Sequence, residues 1–177
     1  MHGRATRRRR IGAWRIVPVL MLSACGYYSF SGASLPEDLR TVAILPAENA
    51  AAAPIPTLAD DLTRLLTDRF VRQTRLRLAD EALADAVLET RLEGYRNDPT
   101  AVTGDDRAAR NRVTLTARIV LRRTAPEASD VAPLLDRSFS SFADYDPARG
   151  ADGEAEAARV ALRAIADDAF TAATSNW

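Results

Sequence analysis

Val113-Thr114-Leu115-Thr116-Ala117-Arg118-Ile119-Val120-Leu121-Arg122 alternates apolar and polar residues almost without interruption. Successive side chains of a strand point to opposite faces. Val113, Leu115, Ala117, Ile119 and Leu121 therefore belong to a buried face, and Thr114, Thr116, Arg118 and Arg122 to an open one. Just upstream the pattern recurs: Ala86, Leu88, Thr90 and Leu92 point one way, Val87, Glu89, Arg91 and Glu93 the other. Both stretches read as half-buried antiparallel strands. Arg96 to Arg112, with Pro99, Gly104 and Asp105-Asp106, reads as a polar hairpin loop between them. After a loop from Thr124 to Pro133, Leu134 to Tyr145 supplies another strand, carrying Phe139 and Phe142 and closed by Asp146-Pro147.

Arg40-Thr41-Val42-Ala43-Ile44-Leu45 is a continuous β-branched and apolar run ended by Pro46, which predicts a strand buried on both faces. Glu48 to Pro56 reads as a loop. Leu58, Leu62, Leu65, Leu66 and Phe70 then recur at helical spacing, predicting a helix over roughly 57–73. Thr57 and Asp60 have the spacing of a capping box, and Asp60–Arg64 and Asp68–Arg72 that of i,i+4 ion pairs. Leu76-Arg77-Leu78 reads as a short strand, and Asp80 to Asp85 as a turn or helical kink. Past a Gly150–Gly153 linker, Ala158, Ala161, Leu162, Ile165 and Ala169 mark a second amphipathic helix. The expected fold is α+β: two helices packed on one face of a mostly antiparallel four-stranded sheet, in the order β-α-β-β-β-α.

The first 24 residues are of another kind. Arg4, Arg7, Arg8, Arg9, Arg10 and Arg15 stand there without one acid, followed by Ile16-Val17-Pro18-Val19-Leu20-Met21-Leu22 and Ser23-Ala24-Cys25. A cationic start, a short apolar run and small residues before a cut make a secretory signal, and the run is far below the ~20 residues of a spanning helix. Arg8-Arg9-Arg10 leaves both the general and the twin-arginine export routes open. Leu22-Ser23-Ala24-Cys25 resembles a bacterial lipobox, which implies removal of residues 1–24 and acylation of Cys25. With ~0.8 kcal/mol per buried CH₂, each long chain contributes on the order of 10 kcal/mol, so two or three chains anchor stably. Gly26 in place of Asp favours the outer membrane. Residues 25–36, with Tyr27, Tyr28 and Phe30, read as a lipidated tether whose aromatics suit a headgroup layer, a partner or the domain's own core. Residues 37–177 are then one domain.

The charge divides along the same boundary. The 177-residue chain has 24 arginines, no lysine, 24 acids and a formal net charge of zero. Loss of the leader's six arginines leaves 18 against 24, a formal −6. No general attraction to nucleic acid or anionic polymer follows from that balance, so an anion site has to be a local group of arginines. The only histidine, His2, leaves with the leader, and the only cysteine is Cys25. Triad or dyad chemistry built on histidine is therefore not expected, an internal disulfide and a multi-cysteine metal site are excluded, and no cofactor is expected beyond the lipid. Asp60-Asp61 and Asp167-Asp168 are helix neighbours that do not face each other, so an enzyme is not expected.

Several further stretches carry a resemblance. Cys25-Gly26-Tyr27-Tyr28-Ser29-Phe30-Ser31-Gly32, Thr41-Val42-Ala43-Ile44-Leu45-Pro46 with Asn49, and Gln73-Thr74-Arg75-Leu76 occur in that order. They are followed by Asn111-Arg112-Val113-Thr114, by Ser138-Phe139-Ser140-Ser141-Phe142-Ala143-Asp144-Tyr145 and by Asn176-Trp177. In this the mature chain resembles the LptE family of lipopolysaccharide-assembly lipoproteins over nearly its whole length. It departs from the family in its lysine-free, alanine-rich composition. The resemblance implies two helices over a four-stranded sheet, and a lipoprotein that plugs and assembles the outer-membrane β-barrel LptD and contacts lipopolysaccharide. A free-standing envelope lipoprotein binding a periplasmic ligand or polymer is the other reading. For a lipopolysaccharide phosphate the candidate donors are Arg91, Arg118 and Arg122 on the open sheet face, because the guanidinium fork matches phosphate. The competing reading of the same residues is a cross-strand ladder with Glu89 and Glu93.

Overall fold

A computed structural model describes residues 35–100, 110–124 and 132–175. The leader, Cys25, most of the tether and Asp105-Asp106 lie outside the described residues, as do Asn176 and Trp177. The strands are β1 (Thr41–Ile44), β2 (Glu48–Asn49), β3 (Arg77–Leu78), β4 (Ala86–Thr100), β5 (Arg110–Arg123) and β6 (Leu135–Tyr145). The helices are α1 (Leu58–Arg72) and α2 (Gly150–Ser175), with 3₁₀ turns at Glu81–Leu83 and Pro147–Arg149.

The α+β class holds, but the sheet is mixed and has six strands rather than four. Its order is β3-β1-β4-β5-β6, with β2 also paired to β4. Only the β4–β5 and β5–β6 pairs are antiparallel; β1 is parallel to both β3 and β4, and β2 is parallel to β4. The cause is the helix between β1 and β3. A strand–helix–strand unit returns the chain to the end from which it left, and the second strand then lies parallel to the first. Pro46 interrupts the ladder on β4. The Leu45 amide still donates to the Leu88 carbonyl (3.1 Å), and the Ala50 amide rejoins β4 at the Leu92 carbonyl (2.9 Å). The expected loop after Pro46 thus contains β2, which continues the line of β1.

The hairpin arms are also longer than expected. Asn97 pairs with Val113 and Thr100 with Arg110, so much of Arg96–Arg112 is strand. Polar residues at successive positions of the arms, Arg96-Asn97-Asp98 and Arg110-Asn111-Arg112, break the alternation that marks a half-buried strand. The register shift between Leu92 and Gly94 exchanges the faces, placing Tyr95 and Asn97 opposite the buried-face residues Leu115 and Val113.

Both helices cover the face carrying Leu88, Leu92, Leu115, Ile119 and Leu121, all fully buried. α1 contributes Leu58, Leu62, Leu66 and Phe70; α2 contributes Leu162 and Ile165 within a stripe of buried alanines. Phe70 meets Phe170 edge-to-face, with centroids 5.5 Å apart and planes at 84°. Leu35 already belongs to this core. On the opposite face Ala43, Ala84 and Val87 form a small second cluster, which makes β1 buried on both sides as its sequence predicts.

The helix ends differ from expectation. Thr57 makes no side-chain cap bond; its hydroxyl instead donates to Asp61 (3.2 Å), and Arg64 pairs with Asp61 rather than Asp60. Arg72 does pair with Asp68, at 2.7 Å. The Gly150–Gly153 segment is the first turn of α2 rather than a linker. Gly150 takes the left-handed φ of 54° that lets the chain turn from the 3₁₀ segment into the helix.

Candidate functional site

The face of the sheet away from the helices is where the open residues of β4, β5 and β6 collect. Arg118 lies opposite Arg91 on β4 and Ser138 on β6, and Arg122 lies opposite Val87. Arg91 is in turn opposite Glu48 of β2. The three arginines singled out in the sequence therefore share one face. Arg91 and Arg118 are direct cross-strand neighbours, and Arg122 sits four residues farther along β5.

Each of the three has a carboxylate partner. Arg118 donates from Nε and Nη2 to the two oxygens of Asp136, both at 2.8 Å. That side-chain bond holds the Asp136 carboxyl below its ordinary range and raises the Arg118 guanidinium. Arg122 donates to Glu89 from Nε (2.8 Å) and Nη2 (2.6 Å), with Glu81 at 3.7 Å. Arg91 has the loosest contact, 3.6 Å to Glu48, and is 55% exposed. The expected ladder with Glu89 is present at Arg122. Glu93 instead accepts from the Ser138 hydroxyl at 3.4 Å. Its place at the register shift takes it out of the simple alternation.

Farther along the same face lies a group the sequence reading left unmarked. Arg112 donates to both oxygens of Asp144 (2.6 and 3.0 Å), and its guanidinium carbon stands 3.8 Å above the Phe142 ring. The bond lowers Asp144 and raises Arg112. Phe142 remains 54% exposed. The signal was available in parity: Arg112 is on the even-numbered face of β5 with Thr114, Thr116 and Arg118. The polar run from Arg96 to Arg112, which reads as a loop, conceals it. Between the two charged groups run hydroxyls, with Thr116 donating to Ser140 at 3.2 Å.

The carboxylate pairs are engaged separately rather than together. Asp61 takes Arg64 and Asp167 takes Arg69 across the helix pair. Among the described residues no group of three metal-ligating side chains converges, and no helix is long and apolar enough to cross a membrane. What the face offers is a wettable surface of paired guanidinium and carboxylate groups with one exposed aromatic. The guanidinium forks of such a surface have the planar geometry that matches carboxylate or phosphate.

Comparison with known proteins agrees with this architecture. The fold is shared with CT253 from Chlamydia trachomatis at 12% identity and a TM-score of 0.53, covering 78% of this chain and 99% of that one. It is shared with the dodecameric PelC from Paraburkholderia phytofirmans at 11% identity and a TM-score of 0.52, covering 83% and 95%. At such identities the likeness speaks to fold alone. No functionally curated protein gives a significant sequence match. Residues 39–173, from the last turn before β1 nearly to the end of α2, match the family described as LptE, lipopolysaccharide-assembly. The sequence motifs, the two-helix α+β domain and this match agree: the chain belongs to the LptE lipopolysaccharide-assembly family.

Proposed function

We propose that the protein is an outer-membrane lipoprotein, acylated at Cys25, that assembles with and plugs an LptD-type β-barrel and helps insert lipopolysaccharide into the outer membrane. The observation that carries the proposal is the family match across essentially the whole folded domain. The physics of the surface supports it. A barrel lumen is polar. The open sheet face presents Arg112–Asp144, Arg118–Asp136, Arg122–Glu89 and the hydroxyls of Thr116 and Ser140 to whatever surrounds it. A plug needs such a face, already satisfied internally yet able to exchange partners with a polar wall. The domain sits at the periplasmic leaflet or within the lumen, held by its lipid.

Within this reading Arg91, Arg118 and Arg122 bind lipopolysaccharide phosphate. Arg91 and Arg118 stand side by side, and the loose Arg91–Glu48 contact is the easiest to exchange. Depleting the protein is expected to leave the barrel misassembled and lipopolysaccharide undelivered. Replacing Arg91, Arg118 and Arg122 together by alanine should weaken lipopolysaccharide binding by about tenfold or more, the loss of at least one charge-assisted contact. Unchanged binding by a stably folded triple variant removes these residues from the site.

A further inference from the structure

Most arginines of the described domain find a carboxylate; Arg110, Arg137 and Arg149 do not, and neither do Arg40, Arg75 and Arg77, which differ in being gathered at one place. They come together with Glu37 and Thr41 around an open cleft of about 580 Å³. Three separate segments build it. The parallel pairing of β1 and β3 sets Arg77 opposite Thr41, and the Arg77 amide donates to the Arg40 carbonyl at 2.9 Å. Arg75 donates from Nη2 to the carbonyls of Leu35 (3.3 Å) and Pro36 (3.2 Å), which fixes its guanidinium against the chain entering the domain. Two nearby acids are occupied. Asp38 is paired with Arg123, and Asp85 accepts from the Arg40 and Thr41 amides and the Thr41 hydroxyl. Three cations thus face one free carboxylate, Glu37, on a domain whose mature chain is formally −6.

We propose that this cleft docks on the phosphates of anionic phospholipid headgroups in the leaflet that holds the Cys25 anchor. The inference rests on the lipoprotein reading of Cys25. Leu35, whose carbonyl accepts from Arg75, is only ten residues from Cys25 in the chain. Such a length reaches at most about 35 Å even when fully extended. The tether therefore keeps the cleft at high effective concentration near the lipid surface. Attraction to that surface decays within about 8 Å, so it acts on the cationic end held closest and turns the acidic remainder away. An arginine near an anionic leaflet is worth roughly fivefold in binding, and three together on the order of a hundredfold.

The test uses the mature lipoprotein reconstituted in nanodiscs of phosphatidylcholine alone or with phosphatidylglycerol, read by hydrogen exchange. We expect slower exchange over residues 35–41 and 74–79 in the anionic discs. The Arg40→Gln/Arg75→Gln/Arg77→Gln variant should lose this difference, and the corresponding lysine variant should keep most of it. Equal exchange in both discs by an acylated, folded protein overturns the proposal. So does equal slowing when inorganic phosphate is added to phosphatidylcholine discs, which marks a free-anion site. Intact mass reads the anchor separately. Should Cys25 carry no acyl mass, the anchor falls, and the soluble mature chain added to anionic discs must still show the slowing for the cleft to stand.

Discussion

Asp85 shows how much one exposed carboxylate organises. It accepts from the Arg40 and Thr41 amides and the Thr41 hydroxyl, each at 2.9 Å, while its own amide donates back to Thr41 Oγ1 at 2.9 Å. These bonds tie the start of β1 to the start of β4. Backbone bonding from Arg40 is the largest cause of the lowering of its carboxyl below 3.8. Asp85→Ala is expected to cost about 1 kcal/mol, the modest end for a capping carboxylate because the site is open to water. Asp38, Asp136 and Asp144 are also lowered, chiefly by bonds from Arg123, Arg118 and Arg112. A carboxylate lowered on folding stabilises the fold above its ordinary value, and that stability is lost as pH falls through the lowered one. The urea midpoint should therefore hold steady above about pH 5 and decline below about pH 4. Each exposed ion pair adds little, so the decline is modest, and a midpoint flat to strongly acid pH contradicts the bonding described at Asp85. The face occupied by Arg91, Arg118 and Arg122 was legible from period-two alternation. Glu89, the partner of Arg122, was legible too; Glu48 and Asp136 were not, since Glu48 sits in a two-residue strand and Asp136 on a separate strand whose register no local pattern reveals.

At the level of elements, the seam between β6 and α2 is set by glycine and alanine. A Cβ on Gly153 would come within 2.8 Å of Arg149 Cβ and 2.9 Å of Tyr145 Cδ2. Gly153→Ala gains helix propensity but forces these atoms apart, for an expected net loss of about 1 kcal/mol. Phe70, fully buried at the α1–α2 contact, is the opposite case. Phe70→Ala should lose about 3–5 kcal/mol in denaturant unfolding, because the edge-to-face pair goes and a cavity remains. A loss under 1 kcal/mol would mean that α1 and α2 do not pack as described. Helices and long strands were legible because 3.6 and 2.0 periodicities survive over many residues. The parallel pairs were not, since β2 and β3 are too short to show a period. The topology was still implicit in α1, whose position between β1 and β3 makes it a crossover. The glycines near residue 150 read as a linker because a helix-starting left-handed turn and a tight packing site use the same residue.

For the whole molecule, sequence and structure divide the information between them. The leader and Cys25 are described by sequence alone; the mixed sheet and the paired open face come from the structure. They meet where the chain enters the domain at Leu35. The proposed function joins them into one reading, a lipid-held domain whose polar face is turned toward a polar enclosure. If a barrel encloses that face, it is buried in the complex and open in the free protein. Exposed ion pairs add little to stability by themselves. Breaking Arg118–Asp136 with Arg118→Ala should thus leave the melting temperature of the isolated protein nearly unchanged while weakening the assembly. The measurement that decides the matter is affinity purification of the acylated protein from detergent-solubilised outer membrane, followed by native mass spectrometry. We expect a stoichiometric complex with one large LptD-type β-barrel. A monomeric, barrel-free lipoprotein under the same conditions overturns the plug and favours a free-standing envelope-binding role.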